Sequence, residues 1–159
     1  MEPNIYRNKA LAVLKNEKTM VLAVQADDGP WAAPVYFLFA SPGIYFFSSP
    51  RSKHIQALRH DNRAAGAIFV DSDQLKNIHG LQMIGQVEQV HGAVRRLDIT
   101  ARYLVKFPLA RRILMPGTAP AASPSESPEA GVRLYVFWPA EIHCTDNRQG
   151  FGRRVSIEL

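Results

Sequence analysis

Between residues 19 and 90 the chain breaks into short apolar runs separated by tight turns, and this rhythm limits its fold more than any other feature. Residues 19–25 (TMVLAVQ) are short, apolar and β-branched at Thr19 and Val21, which suits a strand. Asp27-Asp28-Gly29-Pro30 is strong turn chemistry. Residues 31–40 form a second strand closed by Ser41-Pro42-Gly43, and residues 44–49 a third. Links this short predict antiparallel pairing. After a brief helix at residues 52–60, with Ile55 and Leu58 on one face, residues 63–70 (RAAGAIFV) and 78–90 supply a fourth and a fifth, longer strand. Gly80 and Gly85 in the fifth predict a bulge or a close backbone approach.

Helices occur only at the start and between strands. Residues 4–17 place Tyr6, Ala10, Val13 and Leu14 on one helical face. Residues 93–106 form the second main helix, with Val94, Leu97, Ala101 and Leu104 along one side and Arg95, Arg96, Arg102 and Lys106 largely elsewhere. Pro108 ends or kinks it, and residues 110–115 add a turn. Residues 116–131 are rich in Pro, Ala and Ser and read as a mobile loop. Residues 132–138 and 141–145 make the last strands, interrupted at Pro139, and a glycine-containing tail follows. This order lacks the βαβα alternation of a parallel sheet. It predicts a mainly β protein, a small antiparallel barrel with peripheral helices in one domain spanning residues 1–159.

Composition narrows the class. With 47% hydrophobic and 21% charged residues among 159, the chain can bury a core and is not disordered as a whole. No apolar run approaches the ~20 residues of a membrane helix. The polar first segment lacks the apolar centre of a secretory signal, and the single Cys144 cannot form an internal disulfide. A cytoplasmic protein is expected. The net charge of +5 would suit nucleic acid or a phosphorylated ligand. No nucleic-acid motif accompanies the basic helix face, so a solvated face is the stronger reading. None of the five histidines pairs with another at zinc-motif spacing, and no metal is expected.

The chemistry concentrates in YFFSSPRSKHIQAL, residues 45–58, where an aromatic strand runs into a helix through Ser48-Ser49-Pro50-Arg51-Ser52-Lys53-His54. The first amides of a helix are unpaired and carry partial positive charge. Hydroxyls from Ser48, Ser49 and Ser52 and charge from Arg51, Lys53 and His54 would suit a phosphate monoester. An ordinary helix cap at Ser52 with solvated cations is the commoner use of such a turn.

Context supplies a further reading. APVYF, YFFSSPRSKH, DNRAAGAIF and LQMIGQVE follow one another in the order seen in pyridoxamine 5'-phosphate oxidase-like flavoproteins. The chain resembles that family best over residues 20–90. PWAAPVYF, SSPRSKH, GLQMIG and DNRQGFGRR match a small bacterial branch of it. The resemblance implies a six-stranded antiparallel Greek-key split barrel that binds FMN and forms a homodimer, with the cofactor in a groove between two barrels. Carried over residue by residue, it implies main-chain contacts to FMN from Pro34, Val35, Tyr36 and Phe37. Phe47 and Ser48 would line the ribityl phosphate, with Ser49 beside them. Ser52, Lys53 and His54 match the family's Ser-Arg-Lys phosphate trio, and Gln82 is the polar contact from the next strand. Gln82 stands two residues from the family's usual position, a displacement that keeps the strand face. His54 puts a titratable group where the relatives keep a fixed cation. The oxidase's Arg-x-His substrate motif is absent, since Val155 and Ser156 follow Arg153-Arg154. Oxidation of pyridoxamine phosphate is therefore not expected. The implied function is flavin-mediated oxidation or reduction of a small molecule, the alternative being a non-catalytic FMN- or haem-binding protein.

Overall fold

The structure is a computed structural model that describes residues 2–115 and 131–159. Strands β1 (Thr19–Ala26), β2 (Gly29–Ala40), β3 (Gly43–Ser48), β4 (Arg63–Val70), β5 (His79–Gln89), β6 (Arg133–Asp146) and β7 (Arg154–Ile157) form one antiparallel sheet. Helix α1 (Glu2–Asn16) leads into β1, α2 (Lys53–Leu58) joins β3 to β4, and α3 (Ala93–Lys106) and α4 (Arg111–Leu114) follow β5. The sheet order is β3-β2-β1-β4-β5-β6-β7, and β3 also pairs with β6. Six strands therefore close into a ring, and β7 hangs on the outside of β6. This is the expected split barrel with peripheral helices; β7 was expected only as a tail. The expected loop at 116–131 lies outside the described residues, save Gly131.

One long strand does two jobs in closing the ring. The first half of β6 pairs with β3, from Ile44 opposite Phe137 to Ser48 opposite Arg133. Its second half pairs with β7. The expected interruption at Pro139 is a bulge, because Ile84 faces Glu141 while Gly85 faces Pro139, leaving Ala140 without an opposite residue. Gly85 makes the bulge possible: a Cβ there would collide with the Trp138 carbonyl oxygen. Gly80 is the predicted close approach, held against the Ile68 carbonyl and the Phe69 backbone.

Two apolar layers result. Met20, Leu22, Phe37, Phe46, Ile68, Leu81 and Phe137 fill the barrel, and Tyr6, Ala10, Val13 and Leu14 of α1 and Ile55 and Leu58 of α2 pack against them. The helical face expected for α1 is therefore the buried one. A second layer lies outside the barrel, where Leu38, Tyr45, Leu134 and Val136 meet Ile99 and Tyr103 of α3.

The span of α3 is as expected, but its inward face is not the one carrying Val94, Leu97 and Ala101. Val94 and Leu97 are 85% and 73% exposed. The face that docks joins Ile99 and Tyr103 to two cations. The Arg95 guanidinium donates to the Tyr45 hydroxyl and lies 5.3 and 5.4 Å from the Tyr45 and Trp138 ring centres. The Lys106 ammonium sits 4.3 Å from the centre of the Phe37 ring. The outer sheet surface at Tyr45, Phe47 and Trp138 is aromatic, so it takes the cationic side of the helix as readily as an aliphatic one, while Lys106 reaches past it to a ring of the barrel interior.

Candidate functional site

Strand β2 alternates between the barrel and its surroundings, burying Val35 and Phe37 and exposing Pro34 and Tyr36. Above its outer face lie the end of α3, the 3-10 turn Pro108–Ala110 and α4. Between them is a cavity of about 640 Å³, within the usual range for small-ligand sites. Pro34, Val35, Tyr36, Phe47, Ser48 and His54 of the expected set line it. So do Lys18, Tyr103, Lys106 and Phe107, which sequence reasoning had not selected. The lid is held by ring contacts: Phe47 meets Tyr103 at 4.9 Å and Tyr36 meets Phe107 at 5.4 Å. Tyr103 donates its hydroxyl hydrogen to the Tyr36 carbonyl at 3.2 Å. Burial pushes the Tyr103 phenol up to about 12, so it stays a neutral donor at physiological pH.

The serine turn is tightly interconnected. Ser52 caps α2 by position only, since its hydroxyl donates to the Ser49 carbonyl at 2.8 Å instead of receiving a helix amide. His54 Nε2 lies 2.8 Å from Ser48 Oγ and 3.3 Å from Ser52 Oγ, and the two hydroxyls are 3.1 Å apart. The one hydroxyl hydrogen of Ser52 is spent on Ser49, so Ser52 can only accept from the other two. With His54 donating from Nε2, the Ser48 hydroxyl hydrogen can turn toward Ser52 or toward a ligand in the cavity. Burial lowers the His54 pKa below its ordinary value, making the ring neutral at pH 7. It is a neutral hydrogen-bonding wall of the cavity, at the position where the relatives' pattern has a fixed cation.

The other expected residues lie apart. Lys53 points away from the cavity to Asp28 in the β1–β2 turn, at 2.6 Å, and covers the Trp31 ring at 4.4 Å. Phe37 is fully buried within the barrel, and its backbone amide donates to the Lys18 carbonyl. Ser49 faces the Arg51 amide, a local turn bond. Gln82 is exposed on β5. Register nevertheless links it to the cavity: Pro34 faces Val21, Val21 faces Ala67, and Ala67 faces Gln82. Facing residues share a side of the sheet, so these four form one outer row about 14 Å long. The next outer row, Ala32, Ala23, Ala65 and Ile84, is again mostly alanine. A flat floor of small side chains thus runs from the cavity to Gln82.

The unforeseen cation matters most. Lys106 donates to the Glu17 carbonyl at 2.6 Å and lies beside the Phe37 and Phe107 rings. No carboxylate among the described residues pairs with it. Burial, opposed by Glu17 and assisted by Lys18, brings its pKa down to about 8. A half-buried ammonium on a cavity wall, with aromatic neighbours and donor capacity remaining, is chemistry that an anionic ligand would complete. The sequence signal was the run Tyr103 to Pro108, a lysine among aromatic residues directly before a proline.

The pyridoxamine 5'-phosphate oxidase family matches residues 7–136. The chain belongs to this family. A UPF0306 protein of Klebsiella pneumoniae (strain 342) is 23% identical over 144 residues, covering 89% of this chain and 86% of that one. A haem-binding protein from Mycobacterium smegmatis has a similar fold, with a TM-score of 0.73 and 21% identity over 95% of this chain and 57% of its own. A FAD-binding protein from Mesorhizobium loti aligns with a TM-score of 0.64 and 16% identity over 85% of this chain and 90% of its own. The same fold thus occurs in a haem-binding protein and in a FAD-binding protein. Among the described residues no helix is long and apolar enough to cross a membrane.

Proposed function

We propose that this member of the family binds FMN and acts as an oxidoreductase on a small molecule, in the cytoplasm, as a homodimer. The observation that carries the reading is the convergence of Pro34, Val35, Tyr36, Phe47, Ser48 and His54 on one cavity that also holds the Lys106 ammonium, which has no ion-pair partner among the described residues. Hydroxyl, imidazole and ammonium donors together fit a phosphate monoester, and the aromatic walls fit a conjugated ring system. Main-chain groups of Pro34, Val35 and Tyr36 and the Phe47 side chain would hold the ring and ribityl portions. Ser48, with Ser49 and Ser52 behind it, would serve the phosphate, and Gln82 would supply the amide at the far end of the floor. A bound flavin supplies hydride and electron transfer, while the chain orients it and keeps water from it.

The homodimer is supported by the floor itself. Tyr36, Phe69 and Ile84 are exposed on the outer sheet face, an arrangement that a second barrel would cover. The direct test is titration of the purified protein with FMN, followed by quenching of flavin fluorescence. Saturable quenching, then bleaching of the bound flavin by NADPH under anaerobic conditions, is expected. No quenching at any protein concentration would overturn the reading.

A second reading, haem binding without catalysis, draws on the Mycobacterium smegmatis neighbour and on a histidine in the cavity wall. It requires His54 Nε2 to leave its bond with Ser48. Titration with haemin and the visible spectrum distinguish it: a shifted, sharpened haem band that is lost in His54→Ala supports haem ligation.

A further inference from the structure

We infer that Lys106, and not Lys53, is the cation that receives the phosphate of the ligand, so that α3 supplies the charge and the β3–α2 turn the hydroxyls. This rests on the reading of the cavity as a phosphorylated-cofactor site. Three observations lead to it.

First, the charge expected from the serine turn is committed elsewhere. Lys53 is paired with Asp28 at 2.6 Å and lies over Trp31, outside the cavity wall. Drawing it inward would break that ion pair and uncover the indole ring. Second, the other two expected charges on the turn do not serve the cavity: Arg51 is exposed and does not line it, and His54 is neutral and already bonded to Ser48. Third, Lys106 lines the same cavity as Ser48 and His54 and has no carboxylate partner among the described residues. One ammonium hydrogen goes to the Glu17 carbonyl, leaving two. The Phe37 and Phe107 rings beside it exclude water, so an anion would be attracted more strongly there than by a solvated lysine.

Lys18 lines the cavity as well and is the more exposed of the two. Its place in the chain sets it across from Phe37, since Thr19 faces Tyr36, while Ser48 is level with Val35 on the other side of β2. At backbone level Lys18 and Ser48 thus flank β2 from opposite sides, two strand spacings apart and two residues offset, about 12 Å in all. The burial that lowers the Lys106 pKa leaves it mostly protonated at pH 7, and a bound dianion would raise it again.

The experiment measures affinity for FMN and for riboflavin, which lacks the phosphate, by fluorescence quenching with wild type, Lys106→Met, Lys106→Arg and Lys53→Met. Wild type is expected to prefer FMN. Lys106→Met should weaken FMN binding about 10- to 100-fold, the span of a charge-assisted hydrogen bond, with riboflavin affinity unchanged. Lys106→Arg should restore most of the preference, and Lys53→Met should keep it. A Lys106→Met protein with the wild-type FMN-to-riboflavin ratio, or a Lys53→Met protein that loses it, overturns the inference. Binding of neither flavin would defeat the flavin reading separately. The anion seat is then tested with inorganic pyrophosphate, following the lysine 13Cε NMR signal that vanishes in Lys106→Met. Movement of that signal supports the seat, and a stationary signal overturns it.

Discussion

Asp146 carries its charge at 1% exposure, between the Lys9 ammonium at 2.6 Å and the Arg148 guanidinium at 2.8 Å. Its carboxylate also accepts from the Arg148 amide, and bonding to Arg148, with help from Lys9, holds its pKa well below the usual carboxylate range. A folded-state pKa below the unfolded value stabilises the protein fully above the unfolded pKa, near 4, and this support is lost as the pH falls toward the folded value. Urea unfolding should therefore show stability declining below about pH 4 in wild type and a flatter acid limb in Asp146→Asn. Asp146→Ala, which leaves two cations around an empty position, should cost about 3–5 kcal/mol at neutral pH. The string containing Asp146 was legible as a family signature, whereas its physical role was not. Its partner on α1 is 137 positions away in the chain, and no local pattern connects a helix lysine to the end of a distant strand. The serine turn shows the same limit. Its residue types suggested a phosphate site, but whether Lys53 or Lys106 faces the cavity depends on the Asp28 carboxylate and the Glu17 carbonyl, which only the fold brings near.

Among the elements, α3 best separates what patterning reveals from what it leaves open. Its limits were readable from the helical run and Pro108, and the β1 to β5 order was readable from turn chemistry. Its orientation was not, because it has two plausible contact faces, one aliphatic and one aromatic with cations. The sheet surface beneath, with Tyr45, Phe47 and Trp138, selects the second. Tyr103→Ala should cost about 3–5 kcal/mol in thermal or urea unfolding, since it empties a buried aromatic position and releases the cover over the cavity. Leu97→Ser should change the stability of the monomer by no more than about 0.5 kcal/mol. Equal losses for the two variants would mean that the helix docks by its other face. Strand β6 was read as two strands because proline usually ends one; the bulge at Ala140, accommodated by Gly85, lets pairing resume with the same side chains facing inward.

For the whole molecule, the proposed homodimer gives a measurable expectation. Ile84 ends the outer row Ala32, Ala23, Ala65, and it is 50% exposed on a face otherwise lined by small side chains. Ile84→Arg places a charge on that face, so sedimentation equilibrium should show a dimeric wild type and a monomeric variant with unchanged circular dichroism. A variant that remains dimeric would mean that the floor is not the contact.

Closure of the ring by β3 and β6 also governs how the chain matures. The first three strands can pair as they leave the ribosome, but Ser48 waits for Arg133, and Ile44 for Phe137. Until β6 emerges, β3 therefore presents an unpaired edge beside the aromatic side chains of Tyr45, Phe46 and Phe47, which a neighbouring nascent chain could extend. Pairing across so long a separation is also entropically slow. A stop codon anywhere before β6 would therefore yield an open, aggregation-prone sheet rather than a smaller barrel.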